Sequence, residues 1–336
     1  MLTEVWEALV SHARLIAALS LLLFAAGARL SAQERSSEPW WPHPLWGAED
    51  QAGASNWVTP EKVLEAVQLV THGRIYELGH VYDNAMPLFG GRSFSLVLSA
   101  TSGPYGRNRL LANEEFVSTQ LGQVGTQFDG PGHIGMRITM PDGAPRDVYY
   151  NGVTSDAMVS PSGLRRLGVE NVRPYVTRGI LVDIAGFKGI EALAPGYEVT
   201  LADVRGALGR AGIVEADIQP GDALFFRYGW ATRWTQPELY NQTAPGIGLE
   251  VAHWIVAQQV ALVGSDGSTT EVQSNPDGEL AFPVHQELIM KNGIFNIENM
   301  TFEELLHDQV YEFMFVFTPL RIRGATGSPG RPIAIR

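Results

Sequence analysis

The residues best suited to chemistry lie between positions 123 and 133, where the chain reads Gln-Val-Gly-Thr-Gln-Phe-Asp-Gly-Pro-Gly-His. Gln123, Gln127, Asp129 and His133 are spaced four, two and four residues apart, so an extended chain would point all four side chains the same way. Gln123 and Asp129 would then lie about 20 Å apart, too far to share one metal ion. The segment must therefore curl if these residues form one site, and its glycines supply that freedom. The spacing alone leaves open a glycine-rich turn with solvated polar side chains.

A second candidate pair, His285 and Glu298, lies further along the chain. A helix over residues 285–291 would rise about 10 Å, and a returning strand of four or five residues would cover about 15 Å. The two side chains can therefore end at a similar height and share a site. The alternative is a helix-starting histidine satisfied by backbone groups and a glutamate near the next helix N-terminus.

Other polar and aromatic residues give weaker signals. Asp266 follows the apolar run 260–264, at the edge of the sheet where α/β folds bind ligands, although a turn or capping role is the alternative. His80 could border a substrate or be a satisfied structural histidine. Three aromatic residues could form an apolar substrate wall or belong to the core: Phe128, Tyr228 and Trp230. Neither His253 in a helical pattern nor Glu271 in a polar loop receives a catalytic role.

The elements that must position these residues alternate between strand and helix. Thr59-Pro60-Glu61 predicts a helix start, with the helix running to about Val70. Apolar runs predict strands over residues 94–99, 179–184, 223–227, 260–264, 294–297 and 311–317. Helical patterns cover residues 201–211, 249–258, 285–291 and 301–306, the last with a capping box formed by Thr301 and Glu304. The order predicts an α/β fold with a mixed sheet and covering helices.

Composition narrows the function classes. The chain has 336 residues, of which 45% are hydrophobic and 18% charged, as in globular proteins. A formal net charge of -12 is the wrong sign for neutralising phosphates, so we expect no nucleic-acid partner. With no cysteine, the chain cannot form a disulfide, a thiolate nucleophile or a Cys-ligated zinc or iron-sulfur centre. Any metal must use His, carboxylate or amide ligands.

The first 32 residues are typical of an export signal. Arg14 precedes an apolar run over residues 15–28, and small residues follow at Ala28 and Ala32. Fourteen residues of helix span about 21 Å, short of the bilayer's hydrocarbon core, so we expect no permanent membrane span. We expect residues 1–32 to be a signal peptide and residues 33–336 to be an exported, periplasmic or secreted enzyme domain. An amphipathic N-terminal helix, or a start codon placed too early, is the alternative.

These motifs resemble the cyclase family of metal-dependent hydrolases, which includes bacterial kynurenine formamidase and isatin hydrolase. The family signature is His-x-Gly-Thr-His-x-Asp-x-Pro-x-His, of which this chain keeps every defined position except two, since Gln123 and Gln127 replace histidines. The runs around His285 and Glu298 resemble the family's downstream ligands. Residues 149–152 and 324–329 resemble its branch with larger chains, in which Gln-x-Gly-Thr-Gln occurs. Residues 324–328 lack the Gly-Lys-Ser/Thr ending of a phosphate loop.

The resemblance implies a swivelling β/β/α fold, hydrolysis of a small amide or ester, one or two divalent ions and a homo-oligomer. A cation held by Asp129, His285 and Glu298 would polarise a carbonyl and activate water, with His133 as the general base. Gln123 and Gln127 are possible further ligands, or hold water or substrate. Because amide oxygens are weak ligands for zinc, we favour manganese over zinc or magnesium.

Two other functions remain open at this point. In a metal-assisted lyase or dehydratase, His133 would remove a carbon-bound proton. An exported binding protein could have lost its metal through the two glutamine replacements.

Overall fold

The computed structural model describes residues 39–336, and residues Trp41–Arg336 form one compact unit. The predicted export signal lies outside the described residues. The strands in chain order are β1 Ile75–Glu77, β2 Phe94–Leu98, β3 Ser102–Tyr105, β4 Leu110–Ala112, β5 Glu115–Thr119, β6 Gln127–Asp129, β7 Met136–Thr139, β8 Pro145–Val148, β9 Val159–Ser160, β10 Gly163–Leu164, β11 Tyr175–Asp183, β12 Glu198–Val199, β13 Ala223–Arg227, β14 Gly246–Ile247, β15 Leu262–Ser265, β16 Phe295–Glu298, β17 Glu312–Phe317, β18 Gly327–Pro329 and β19 Ile333–Ile335.

The α-helices are Pro60–Val67, Ser155–Met158, Ile184–Lys188, Leu201–Arg210, Pro237–Tyr240, Leu249–Gln258, Pro283–His285 and Glu303–His307. Short 3-10 turns cover Gly53–Trp57, Tyr150–Gly152, Val169–Asn171, Glu215–Asp217 and Trp230–Arg233, and a π-helix covers Gln286–Lys291. Among the described residues, no helix is both long enough and apolar enough to cross a membrane.

A mixed sheet forms the centre of the molecule. Its nine strands within residues 39–336 follow the order β1-β19-β17-β11-β13-β15-β16-β6-β18. Strands β11, β13, β15 and β16 are parallel, and β6 pairs antiparallel with β16. Parallel strands covered on both faces consist of continuous apolar runs, and all five residues of β13 are buried. This explains why the sequence predicted these strands well.

Two apolar layers cover the sheet because successive strand residues face opposite sides. On one side, Leu224 and Phe226 pack with buried residues of the helices Leu201–Arg210 and Leu249–Gln258. On the other side, Phe225 packs against Phe315 with a ring-centroid distance of 4.6 Å. The predicted α/β fold with a mixed sheet and covering helices is confirmed.

Of the two helix starts predicted at Thr59 and Thr301, the structure agrees with the first and differs at the second. The predicted helix start is confirmed at Thr59, whose hydroxyl accepts a hydrogen bond from the Lys62 amide at 3.3 Å. The predicted capping box at Thr301 is wrong, because the helix there begins at Glu303 after an N-cap at Phe302. The Thr301 amide instead donates to the carbonyl oxygen of Leu78, so this segment is still paired with extended chain.

One predicted strand lies outside the central sheet. Residues 94–99 were expected to join the α/β body, and the strand itself forms as β2. It pairs only with β5 in a separate two-stranded sheet, and β3 pairs with β4 further out. An apolar run indicates a strand but does not indicate which partner covers it.

Candidate metal site

Strand β6 lies between β16 and β18 and places two polar side chains on one face of the central sheet. Its register with β16 sets Asp129 opposite Asn296 and Gln127 opposite Glu298. Gln127 and Asp129 are two residues apart and share a face, so the intervening Phe128 points to the other face. Phe128 is fully buried there against Tyr175, Phe295 and Phe317. The prediction of Phe128 as a substrate contact is therefore wrong, since its ring belongs to the core.

The segment before β6 curls as the spacing required. Gly125 has a φ of 59°, and a Cβ atom at this position would collide with the Tyr82 ring. The turn returns Gln123 toward the strand, where its Nε2 donates to Asp129 Oδ1 at 2.9 Å. The two residues predicted to be about 20 Å apart in an extended chain are hydrogen-bonded.

His285 enters the same site at the end of the short helix Pro283–His285. Glu271 fixes it, because one carboxylate accepts hydrogen bonds from the amides of Val284 at 2.9 Å and His285 at 3.0 Å. The same carboxylate lies 2.7 Å from His285 Nδ1. The other ring nitrogen, Nε2, lies 3.2 Å from Glu298 Oε1 and 3.9 Å from Asp129 Oδ2. Such a carboxylate behind a histidine fixes the ring for metal binding through its far nitrogen.

Asp129, His285 and Glu298 thus form a cluster suited to a metal ion. One ligand atom from each lies within 4.8 Å of the others, and all three residues are buried. Glu298 is further held by hydrogen bonds from the Thr270 amide at 3.0 Å and from Asn296 Nδ2 at 2.7 Å. The cluster therefore presents two oxygen donors and one nitrogen donor in a fixed arrangement.

The charges in this cluster favour a bound cation. Burial is the largest influence on His285 and lowers its pKa, but Glu271 and Glu298 outweigh it and raise the pKa to about 10. Burial raises the pKa of the Asp129 carboxyl, an effect that the neighbouring His133 opposes. Buried carboxylates are costly unless they are paired or bind a metal. A positive charge, whether a proton on His285 or a metal ion, satisfies this requirement.

The two glutamines of the motif differ in what they can offer. Gln127 Nε2 donates to Glu298 Oε2 at 3.1 Å, while its Oε1 is buried and has no hydrogen-bond partner in the described part of the chain. In Gln123 the carbonyl oxygen accepts a hydrogen bond from Arg92 at 3.0 Å. An unpaired buried carbonyl is costly unless something binds it, so the donor set fits a cation that Gln127 also contacts.

His133 lies at the edge of the cluster. Its Nε2 is 3.7 Å from Asp129 Oδ1, and the side chain is 22% exposed whereas Asp129 is 1% exposed. A small cleft opens beside the cluster, lined by Phe89, Arg92, Gln123, Gln127, Tyr240 and Ser268, among others. The histidine is therefore reachable from solvent and close to the buried carboxylate.

Two further predicted residues, Asp266 and His80, are not among the residues of the cluster. Asp266 is buried, and its carboxylate accepts hydrogen bonds from the Tyr228 amide at 2.6 Å and the Ala231 amide at 3.3 Å. It holds a turn, so the prediction of a substrate contact is wrong and the capping alternative applies. His80 stacks on Trp234 with a centroid distance of 4.0 Å, and burial lowers its pKa to about 4.

The prediction of an aromatic substrate wall is also wrong for its other two members, Tyr228 and Trp230. Tyr228 and Trp230 are fully buried in the core layer of the helices Leu201–Arg210 and Leu249–Gln258. The Trp230 indole donates to the Tyr240 carbonyl at 2.9 Å, and the Tyr228 hydroxyl donates to the Thr270 carbonyl at 2.7 Å.

Sequence reasoning missed the residues that support the ligands. Asn296 could have been found, because it lies two residues before Glu298 on the same strand and must share its face. Glu271 gave no such signal, since it contacts His285, which lies 14 positions further along the chain. Arg92, 31 residues from Gln123, could not be placed by spacing either.

Comparison with known proteins agrees with this architecture. The family described as "Putative cyclase" matches residues 76–272. A solved structure described as a novel cyclase is 30% identical, with a TM-score of 0.76 over 87% of this chain and 98% of that one. Isatin hydrolase A from Ralstonia solanacearum is 18% identical, with a TM-score of 0.56 over 83% of this chain and 98% of that one. An isatin hydrolase bound to the product analogue thioisatinate is 15% identical, with a TM-score of 0.54, covering 82% and 98% of the two chains. No curated protein matches the sequence.

Proposed function

The chain belongs to the cyclase family, and we propose that it is a metal-dependent hydrolase that cleaves a small amide or ester. The observation that carries the proposal is the buried cluster of Asp129, His285 and Glu298 beside the unpaired carbonyl oxygen of Gln127. Neighbours named isatin hydrolases share the fold at low identity, which is compatible with hydrolysis of a small carbonyl compound.

The proposed ligands are Asp129, His285, Glu298 and the carbonyl oxygen of Gln127. Gln123 supports the site from outside, because its carbonyl is engaged by Arg92 and its amide group donates to Asp129. Three oxygen donors with one imidazole form a set in which manganese is favoured over zinc, which prefers nitrogen and sulfur ligands.

A divalent cation held by these ligands would act as a Lewis acid and would lower the pKa of water toward neutral pH. The chain's own residues provide the rest. Glu271 holds the His285 ring so that Nε2 faces Asp129 and Glu298. In the proposed reaction, His133 Nε2 accepts the proton of the attacking water and returns it to the leaving group. The side chain of His133 is partly exposed to solvent, which suits a general base because its nitrogen must exchange protons with water.

We also propose that the protein is exported to the periplasm or secreted, on the strength of residues 1–32. Intact-mass analysis of the expressed chain checks this, with a new N-terminus near Arg29 or Gln33 as the expected result. An uncleaved protein retained in the cytoplasm would contradict export.

The proposed reaction is tested by screening formamides, lactams, lactones and aryl esters with manganese in water enriched in oxygen-18. Hydrolysis places solvent oxygen in the acid product, whereas an elimination does not. On a substrate found in this way, His133→Ala should lower kcat by about 10²- to 10⁴-fold while manganese stays bound.

The matched control is His253→Ala, since His253 is 61% exposed on the helix Leu249–Gln258. This variant should keep the wild-type kcat. Full activity in His133→Ala would refute the proposed base, and an unlabelled product would favour a lyase.

A further inference from the structure

The cleft beside the cluster contains one positive charge. Arg92 is the one charged residue among the described residues that line this cleft, and its neighbours there include Phe89, Gln123 and Tyr240. Gln127, whose buried Oε1 has no hydrogen-bond partner in the described part of the chain, lines the same cleft. The cleft therefore combines a cation with an unsatisfied acceptor beside the proposed metal ligands.

A tight turn positions the guanidinium of Arg92 in this cleft. Gly90 and Gly91, with φ values of 65° and 77°, let the chain turn so that the Arg92 amide donates to the Phe89 carbonyl at 3.3 Å. The side chain folds back over the turn, where Nη1 donates to the same carbonyl at 3.4 Å and the guanidinium carbon lies 5.5 Å from the centroid of the Phe89 ring. Its Nη2 donates to Gln123 Oε1 at 3.0 Å. The guanidinium is therefore held in place by the chain itself.

The charge of this guanidinium is not matched by a carboxylate. In the described part of the chain, its contacts are all with neutral groups. Arg227, which is buried elsewhere in the fold, contacts the carboxylates of both Asp183 and Glu303. A guanidinium has five N–H donors, and Arg92 uses two of them, so three remain. A fixed cation with free donors in a cleft is suited to a carboxylate, which it can bind through two parallel hydrogen bonds.

We infer that Arg92 binds a carboxylate group of the substrate, so that the substrate is a small amide or ester that carries a carboxylate. The inference rests on the proposed function for the reaction, since Arg92 determines only what binds. Gln123 connects the two parts of the site, because it accepts from Arg92 and donates to Asp129 at 2.9 Å. The guanidinium nitrogen therefore lies no more than about 8 Å from the Asp129 carboxylate. A molecule whose carboxylate and reacting carbonyl are separated by one aromatic ring can reach both.

A purely structural role would not require the charge of Arg92. A neutral donor could hold Gln123 Oε1, whereas a partly buried guanidinium without a counter-charge costs free energy. A bound carboxylate supplies that counter-charge, and its single negative charge matches one guanidinium better than the nearly double charge of a phosphate group. Phe89 and Tyr240 in the same lining can contact the body of the substrate while the polar groups orient it.

The experiment compares meta-formamidobenzoate with meta-formamidobenzamide, which have the same shape and differ in charge. Calorimetry on protein freed of metal measures their binding without hydrolysis and without contact between the carboxylate and a metal ion. The wild type should bind the carboxylate about 10- to 100-fold more tightly than the carboxamide, as expected for hydrogen bonds between charged groups. Arg92→Gln should abolish this preference. Arg92→Lys should retain part of it, because an ammonium group keeps the charge but not the paired donors.

The ratio of the two affinities separates recognition of the carboxylate from support of Gln123. A displacement of Gln123 in Arg92→Gln would change the affinity for both compounds and cancel in their ratio. The matched control is Arg107→Gln, since Arg107 is exposed and does not line the cleft. This variant should keep the wild-type preference. With manganese added, the same preference should appear in kcat/KM and should be carried by KM.

Two results would overturn the inference. The first is equal affinity of the wild type for the two compounds, a measurement that does not depend on whether any variant folds. The second is a preference that persists in Arg92→Gln, because another group would then bind the carboxylate. If the preference is lost in Arg92→Gln and yet none of the screened amides and esters is hydrolysed, the carboxylate site stands and the proposed hydrolysis fails.

Discussion

At the scale of single residues, the carboxylate of Glu271 determines how His285 is presented. It receives two backbone amides and contacts Nδ1, leaving Nε2 toward Asp129 and Glu298. This arrangement orients Nε2, the atom that we propose as the metal ligand of His285. Substituting a residue behind a metal ligand usually weakens metal binding although no ligand is lost.

Glu271→Gln is therefore expected to lower manganese affinity by about 10- to 100-fold, because the ring loses its charged partner. Isothermal titration calorimetry with manganese measures this change in affinity. Glu238→Gln serves as the control, since Glu238 is exposed and outside the cluster. Equal affinity in Glu271→Gln and the wild type would show that Glu271 has no part in the site.

His80 shows a different effect of burial. Its ring stacks on Trp234, and its Nε2 is buried without a hydrogen-bond partner in the described part of the chain. Burial lowers its pKa from 6.5 to about 4. The unfolded chain therefore binds a proton more readily than the folded chain between these pH values.

The stability contributed by the neutral His80 ring should be fully present above pH 6.5. As the pH falls through about 4, the free energy of unfolding should decrease by about 3 kcal/mol. His80→Phe keeps an aromatic ring against Trp234 and removes the titration. Urea unfolding of both proteins between neutral pH and pH 4 measures the difference. Parallel stability curves would show that His80 has an ordinary pKa in the folded protein.

At the scale of elements, the start of a helix depends on what the preceding chain is already bonded to. Thr59 caps the helix Pro60–Val67 as its sequence predicts. Thr301 has the same signature, but its amide is bonded to the Leu78 carbonyl, and the helix begins only at Glu303. Local sequence cannot reveal a backbone hydrogen bond to a residue more than 200 positions away.

These two threonines form a matched pair for measurement. Thr59→Ala should destabilise the fold by about 1 kcal/mol, the usual cost of losing a cap. Thr301→Ala should cost less, because its hydroxyl caps no helix. Chemical denaturation of the two variants gives both values. A larger loss for Thr301→Ala would mean that the cap assignment is reversed.

At the scale of the whole molecule, the sequence could predict what depends on local pattern. The buried parallel strands are apolar runs, and the curl of residues 123–129 follows from spacing and glycine. The sequence could not predict what depends on distant pairing. Four residues lie near site residues in the sequence or at strand ends, yet the packing of the two apolar layers on the sheet directs them into the core or a turn. They are Phe128, Asp266, Tyr228 and Trp230.

The site itself depends on the entire sheet. Asp129 and Glu298 lie close together only because β6 pairs antiparallel with β16, the last of the four parallel strands. Glu271 and His285 are added from loops beyond the strand ends. The motif pointed to Asp129, and the spacing and resembling runs pointed to His285 and Glu298, which the structure brings together. The supporting residue Glu271 required the three-dimensional structure.

We propose that Asp129, His285 and Glu298 hold one divalent ion. Crystals of the protein soaked in manganese and measured near the manganese absorption edge test it directly. We predict an anomalous peak between these three side chains and Gln127 Oε1, and none at this position in Glu298→Gln. A wild-type crystal with no peak there, or with manganese bound only elsewhere, would contradict the account.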